Sequence, residues 1–313
     1  MIARVFAVAM NTYREAVRAR VLHALLALGL VTCVYSVFVG ALSIHEELRA
    51  VADIGAASTS LYAVLVAIVL GSTTLHREIE HKTIFPILTR ALRRHEYLVG
   101  KYLGTLLTLT VFVALQGAAV LAILAAEAGA ALELLAVIAA VLLGALATIS
   151  ARAPRLRSYV IIPWSCVCFV AMAALASKAG GEQRLVLASC ALTLSEAAVV
   201  AGLASFFASF SSPALTAVFT LGVFVAGREA DALGNLPARV FGPLGPAFRE
   251  VGKLLTHVVP NLQIYVPPRA LLLGQVPETP VWPFVASAAQ NAAMYALLFV
   301  TLAAISFQRR DFP

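Results

Sequence analysis

Apolar runs of about twenty residues recur along this chain, each closed by a short polar or proline-marked stretch. A helix that crosses the ~30 Å hydrocarbon layer of a bilayer needs ~20 such residues. The pattern predicts eight crossings, at 21–42, 56–75, 98–124, 131–149, 159–177, 185–208, 212–228 and 284–307. The seventh is near the lower length limit and reads as a short or partial crossing. Pro213 suits the first turn of its helix, with Ser211 or Ser212 as the cap. Residues 1–20 behave differently. Ile2, Val5, Phe6, Ala9, Tyr13 and Val17 fall at helical spacing, with Arg4, Asn11, Arg14 and Arg18 elsewhere on the wheel. That predicts an amphipathic helix lying on a membrane surface. Segment 229–283 holds a second amphipathic stretch at 245–258, then is broken by Pro260, Pro267, Pro268, Pro277, Pro280 and Pro283.

Composition agrees with the pattern. Of 313 residues, 61% are hydrophobic and 12% charged, against roughly 45–50% and about 25% in soluble proteins. So few charges cannot cover that much apolar surface in water. The expected class is all-α, a polytopic membrane helical bundle; a nucleic-acid enzyme or a secreted disulfide scaffold is excluded. Cys33, Cys166, Cys168 and Cys190 all fall inside apolar stretches and say nothing about redox compartment. Residues 1–20 carry four arginines and no credible cleavage site follows, so the first run reads as a retained span.

Charge sets the expected orientation. With the N-terminus in the cytoplasm, the inside segments and Lys101 hold fifteen of the 23 Lys and Arg residues but five acids, a net +10. The outside holds eight basic and ten acidic residues, a net −2, and Glu196 sits within a span. Lys and Arg collect on the cytoplasmic side of membrane proteins, so both termini are expected there, in a bacterial or archaeal inner membrane.

The link after the second span reads His76-Arg-Glu-Ile-Glu-His-Lys-Thr-Ile84, then Arg93 and Arg94, then Gly100-Lys-Tyr-Leu-Gly104. It resembles the type-2 ABC exporter permeases, membrane subunits driven by a separate ATPase. Asn11-Thr-Tyr-Arg-Glu-Ala-Val-Arg18 resembles the family's N-terminal elbow helix. Ser205-Phe-Phe-Ala-Ser-Phe-Ser-Ser-Pro213 resembles its turn before the penultimate core span, and Phe307-Gln-Arg-Arg-Asp-Phe312 its C-terminal ending. The resemblance covers roughly 1–125 and 185–313. It departs from the six-span core at 126–183, which reads as an inserted pair of spans joined by the basic turn Arg152-Ala-Pro-Arg-Leu-Arg157. It departs again where the family often has Lys-Pro and this chain has Arg90-Ala91.

The resemblance implies an elbow helix at 1–20, a permease domain at 21–313, a coupling element at 76–97 and an outer helical segment at 229–283. It implies two permease chains, identical or homologous, each docked on an ABC-type ATPase that carries ATP and Mg; this chain needs no cofactor of its own, catalyses no bond chemistry and takes no nucleic acid. A lipid-like or amphipathic substrate would be exported by alternating access, with membrane lipid as the surrounding partner. Arg77, Glu78, Glu80, Lys82, Thr83, Arg90, Arg93 and Arg94 are the expected ATPase contacts. Charges suit such a contact because they set orientation and reject wrong partners, and Glu78 and Lys82, four apart, pair on a helix. Topology alone would also make an inner loop basic. The competing function is an ATPase-coupled scaffold that moves or assembles another protein without passing a solute.

Other polar features have plainer readings. His76 and His81 are five apart, so ~100° per residue sets their rings about 140° from one another, unlike a zinc helix. Cys166 and Cys168 have the softness to hold copper, but buried cysteine is usually an apolar filler. Gly100 and Gly104 form a small-residue face for close helix packing. Glu196 lies mid-span, where a charge costs ~2.5–3.5 kcal/mol on insertion scales. It either lines a translocation path, relays a proton, or bonds a neighbouring helix; His23 and Gln116 are candidate partners by polarity. No G-x-x-x-x-G-K-[ST] loop and no G-x-S-x-G elbow occurs.

Overall fold

The computed structural model describes residues 2–43, 46–80, 93–234, 259–267 and 280–308; at 74–80, 155 and 230–234 it describes the backbone alone. The apolar runs form nine helices among the described residues: α1 (Ile2–Val17), α2 (Arg20–Leu42), α3 (Glu47–Glu80), α4 (Arg94–Glu127), α5 (Leu132–Arg152), α6 (Arg157–Leu175), α7 (Gly181–Ala208), α8 (Pro213–Gly234) and α9 (Val281–Gln308). The chain is a multi-span helical membrane bundle, because α2 to α7 and α9 are each long and apolar enough to cross. Helix α8, expected as the short crossing, is described with its side chains only over 213–229, too short a stretch to be counted with those seven.

Two expected boundaries move outward. Helix α3 starts at Glu47, ahead of the expected 56, because Arg49 pairs along the helix with Glu46 at 3.7 Å and Asp53 at 3.9 Å while Val51 and Ala52 are buried. Charges that read as loop are one polar stripe of a helix end. Helix α4 starts at Arg94, where Glu96 turns back to accept the Arg93 N–H at 3.3 Å. The link expected at 76–97 is therefore helical at both ends, with 81–92 outside the described residues.

Helix α7 is the hub. It is buried along its length and packs against α3 on one side, α9 on another and α4 on a third. Lipid gives apolar side chains no reason to leave it for one another, so small residues that allow close approach hold such helices together. A Cβ on Gly71 of α3 would collide with Ala204 of α7, and one on Gly55 would lie 2.5 Å from Val120 of α4. Within the inserted pair, α6 packs on α4, with Phe169 over Gly117, whereas α5 has no buried residue and is tied to α6 by Trp164 Nε1, which donates to the Leu142 carbonyl at 2.8 Å. The turn from α4 into α5 needs Gly129: its φ is +77°, a region side chains avoid, and it lets Ala130 N–H reach back to the Ala125 carbonyl at 2.9 Å.

Helix α1 does not merely float on the surface. Its Ala9, Thr12, Tyr13 and Ala16 are buried, and it lies along the start of α4. The expected apolar face splits, since Ile2 and Phe6 stay exposed. Gly100 and Gly104 explain the contact: a Cβ on Gly100 would lie 2.7 Å from Val8, and one on Gly104 only 2.5 Å from the Ala9 carbonyl oxygen.

The fold also sorts charge by end. Arg94 Nη1 donates to the Gln308 carbonyl at 3.1 Å, and Arg14 lies 4.5 Å above the Tyr159 ring, so α1, the starts of α4 and α6 and the end of α9 share one basic end. At the other end Glu46, Glu47, Arg49, Glu127 and Glu182 line a common depression between the starts of α3 and α7 and the end of α4.

Candidate functional site

Two polar constellations stand out in this apolar bundle. The first is inside it. Glu196, on α7, has 1% of its side chain exposed, yet both carboxylate oxygens are engaged. Oε1 accepts from Arg228 Nη1 of α8 at 2.7 Å, and Oε2 accepts from Ser60 Oγ of α3 at 3.0 Å. Glu196 lies roughly 18 Å before the end of α7 and Arg228 roughly 22 Å past the start of α8 at ~1.5 Å per residue, so, counted from their shared turn, the two come to similar depth in these consecutive helices. Phe224, one turn before Arg228, places its ring 5.8 Å from the guanidinium. The pair therefore ties three helices across the middle of the bundle.

A cap covers this node. Leu262 N–H donates to the Gly227 carbonyl at 3.1 Å, and Leu262 and Tyr265 are buried against α7 and α9. A Cβ on Gly227 would lie 2.6 Å from the Pro260 carbonyl oxygen, so glycine permits the approach. Tyr265 Oη donates to Asn291 Oδ1 of α9 at 3.1 Å. Burial, then the Tyr295 and Glu196 side chains, push the Tyr265 hydroxyl pKa up, so it stays a neutral donor.

Neither expected partner of Glu196 is used. His23 Nδ1 bonds its own helix at the Ala19 carbonyl, 3.0 Å away. Gln116 is fully buried between α2 and α4, with Nε2 3.1 Å from Cys33 Sγ and its amide against Gly29. In the sequence Arg228 closes its apolar run and falls among the eight basic residues expected outside, although the two-helix geometry brings it back onto Glu196. A basic residue closing the span that follows an acid-bearing span was the available signal.

The second constellation is at the basic end. Arg77, Glu78 and Glu80 lie on the last turns of α3; Lys82, Thr83 and Arg90 lie outside the described residues. Arg93 precedes α4, and its N–H is the one Glu96 holds. Arg94 is the first residue of α4 and, besides its surface position, caps the end of α9, where cationic groups favour the carbonyl-rich terminus. Beneath it the fully buried Phe307 stacks on Tyr97 with ring centres 6.4 Å apart. The structure thus joins Arg94 to α9, holds Arg93 to the first turn of α4, and leaves Glu196 as a separate site deep in the bundle.

Cys166 is exposed while Cys168 is buried, so the two thiols face different surroundings, and among the described residues no three His, Cys, Asp or Glu side chains come together as metal ligands do. Neither a protein-family model nor a curated protein matches the chain.

Proposed function

We propose that this chain is the transmembrane permease subunit of an ATP-driven exporter of the ABC type, working as one of a pair of permease chains with separate ATPase subunits that carry ATP and Mg. The basic end faces the cytoplasm, and both termini lie there. ATP binding closes the ATPases, which push on the ends of α3 and α4; the permease interface then switches access and expels a lipid-like or amphipathic substrate. The chain itself breaks and makes no bonds.

One observation carries most of this reading. Helices α3 and α4 have 34 residues each, about 51 Å at ~1.5 Å per residue against a ~30 Å hydrocarbon layer. Helix α3 runs on to Glu80, among the expected contact residues, and the start of α4 is braced by α1 and by the end of α9. Force applied there enters rigid helices. Ser60 on α3 is bonded to Glu196, so movement of α3 bears on the α7–α8 latch. In this proposal Glu196 is a latch between helices, not an open lining of the substrate path.

The second reading, an ATPase-coupled scaffold for another protein, draws on α5, which has no buried residue and offers a whole helix to a neighbour.

Purification of the full-length chain from its native membrane tests the first reading. It should bring down an ATPase with a phosphate-binding G-x-x-x-x-G-K-[ST] loop, and Arg77→Glu with Lys82→Glu should release that ATPase while membrane insertion is unchanged. Recovery without any nucleotide hydrolase, or undiminished recovery in the variant, would defeat it.

A further inference from the structure

Between the end of α1, the start of α2 and the α5–α6 turn lies a concavity of about 480 Å³ that plays no part in the latch or the ATPase contact. Its polar wall is one-sided. Arg18 comes from the end of α1, His23 from α2, Ser150 from α5, and Arg157 and Ser158 from the start of α6; Val17 and Ile161 make its apolar wall. No acid lines it. Glu15 borders the adjoining depression beside Asn11, Arg14 and Arg18 and, among the described residues, makes no ion pair with Arg18.

The groups in this wall are unspent. Arg18, Arg157, Ser150 and Ser158 have no side-chain hydrogen-bond or ion-pair partner among the described residues. His23 has one nitrogen on the Ala19 carbonyl and Nε2 left over. Two guanidiniums, two hydroxyls and an imidazole drawn from four helices make a donor set for a phosphate, since guanidinium forks match its oxygens. The site is held together from outside the cavity: Arg14 lies over the Tyr159 ring, which clamps α1 against α6.

Its position selects the carrier. The concavity sits where the apolar faces of α5 and α6 begin, with Ile149 exposed one residue before Ser150 and Leu143, Val167 and Val170 exposed further along. An amphiphile alone places a phosphate in the basic wall and hydrocarbon on those faces at once. Basic pockets between membrane helices hold anionic headgroups in this manner. We propose that Arg18, His23, Ser150, Arg157 and Ser158 form a binding site for the phosphate of an anionic phospholipid at the basic membrane surface, seated between the N-terminal helix and the α5–α6 pair. The site depends on the membrane-spanning fold and not on the ATPase contact.

Native mass spectrometry of the full-length chain released from nanodiscs of equal phosphatidylglycerol and phosphatidylcholine tests it. Wild type should retain phosphatidylglycerol preferentially. Arg18→Ala with Arg157→Ala should weaken that adduct about thirtyfold, the size expected for two headgroup-level cations. Arg18→Lys with Arg157→Lys should restore part of it, since the charge returns without the guanidinium fork, and Arg184→Ala, at the opposite end, should leave it intact. Equal retention of both lipids by wild type, or undiminished retention in the double alanine variant with an unchanged melting midpoint, would overturn the proposal. A parallel titration of detergent-solubilised protein with inorganic phosphate separates the sources. Weak phosphate binding alongside lipid preference assigns the lipid; tight phosphate binding with no lipid preference keeps the phosphate chemistry and overturns the lipid carrier.

Discussion

Removing Arg228 should expose the energetics of the buried latch. In Arg228→Met the Glu196 carboxylate keeps the Ser60 hydroxyl but loses its 2.7 Å cationic partner in a site where 1% of the side chain meets solvent. Breaking a buried pair from one side costs about 3–5 kcal/mol. Arg228 retains 30% exposure, so the lower end, ~3 kcal/mol, is the appropriate figure after allowing for solvent screening. At roughly 2–4 °C per kcal/mol, that is a fall of about 6–12 °C in melting midpoint. Glu196→Gln should cost less, because the amide oxygen still accepts from Arg228. The double variant Glu196→Gln, Arg228→Met should recover much of the loss, since no buried charge is left without a partner. The assay is the melting midpoint of purified protein in detergent, read for all four members of the cycle. An Arg228→Met midpoint within 2 °C of wild type, or a double variant that melts at the sum of the two single losses, would refute the latch.

Three smaller predictions follow from the same structure. Gly104→Leu should unseat α1 from α4, because even a Cβ there meets the Ala9 carbonyl at 2.5 Å; faster proteolytic release of the N-terminal helix is the readout, and wild-type resistance would count against the contact. Tyr13→Phe should leave stability unchanged or raise it, because the Tyr13 hydroxyl is buried without a partner among the described residues. Burial pushes the Tyr13 pKa up to about 12, so the unfolded chain ionises first and this residue's contribution falls as pH rises from about 10 to about 12; Tyr13→Phe should flatten that stretch of the alkaline melting profile. Arg94→Gln should lower the midpoint by only a few degrees, as loss of a helix-end cation is worth ~0.3–1 kcal/mol, and an unchanged rate of proteolysis at the C-terminus would contradict its role in holding α9.

The spans were legible because a bilayer imposes a length and a polarity that no tertiary contact can override. Gly100 and Gly104 announced a close packing partner, although only the three-dimensional arrangement names it as α1. Periodicity gave α1 its helix and part of its buried face: Ala9 and Tyr13 are buried as their spacing implies, Thr12 and Ala16 join them although too small or polar to signal it, and Phe6 and Ile2, the loudest apolar positions, remain outside. The start of α3 was obscured by Glu46, Arg49 and Asp53, which look like loop until their i,i+3 and i,i+4 spacing is considered. The latch was half legible. A mid-span acid demands a partner, but of the polar candidates His23 bonds the Ala19 carbonyl and Gln116 turns to Cys33 of α2, and depth matching between consecutive helices had to be known before Arg228 could be chosen.

Site-specific crosslinking in the native membrane bears most directly on the claim that a partner ATPase drives this bundle through its basic end. A photoreactive residue at position 82 or 83 of the full-length chain should form its dominant adduct with a nucleotide-hydrolysing subunit and should be shielded from membrane-impermeant reagents added outside the cell. Labelling of those positions from outside, or adducts only with lipid and non-ATPase proteins, would contradict it.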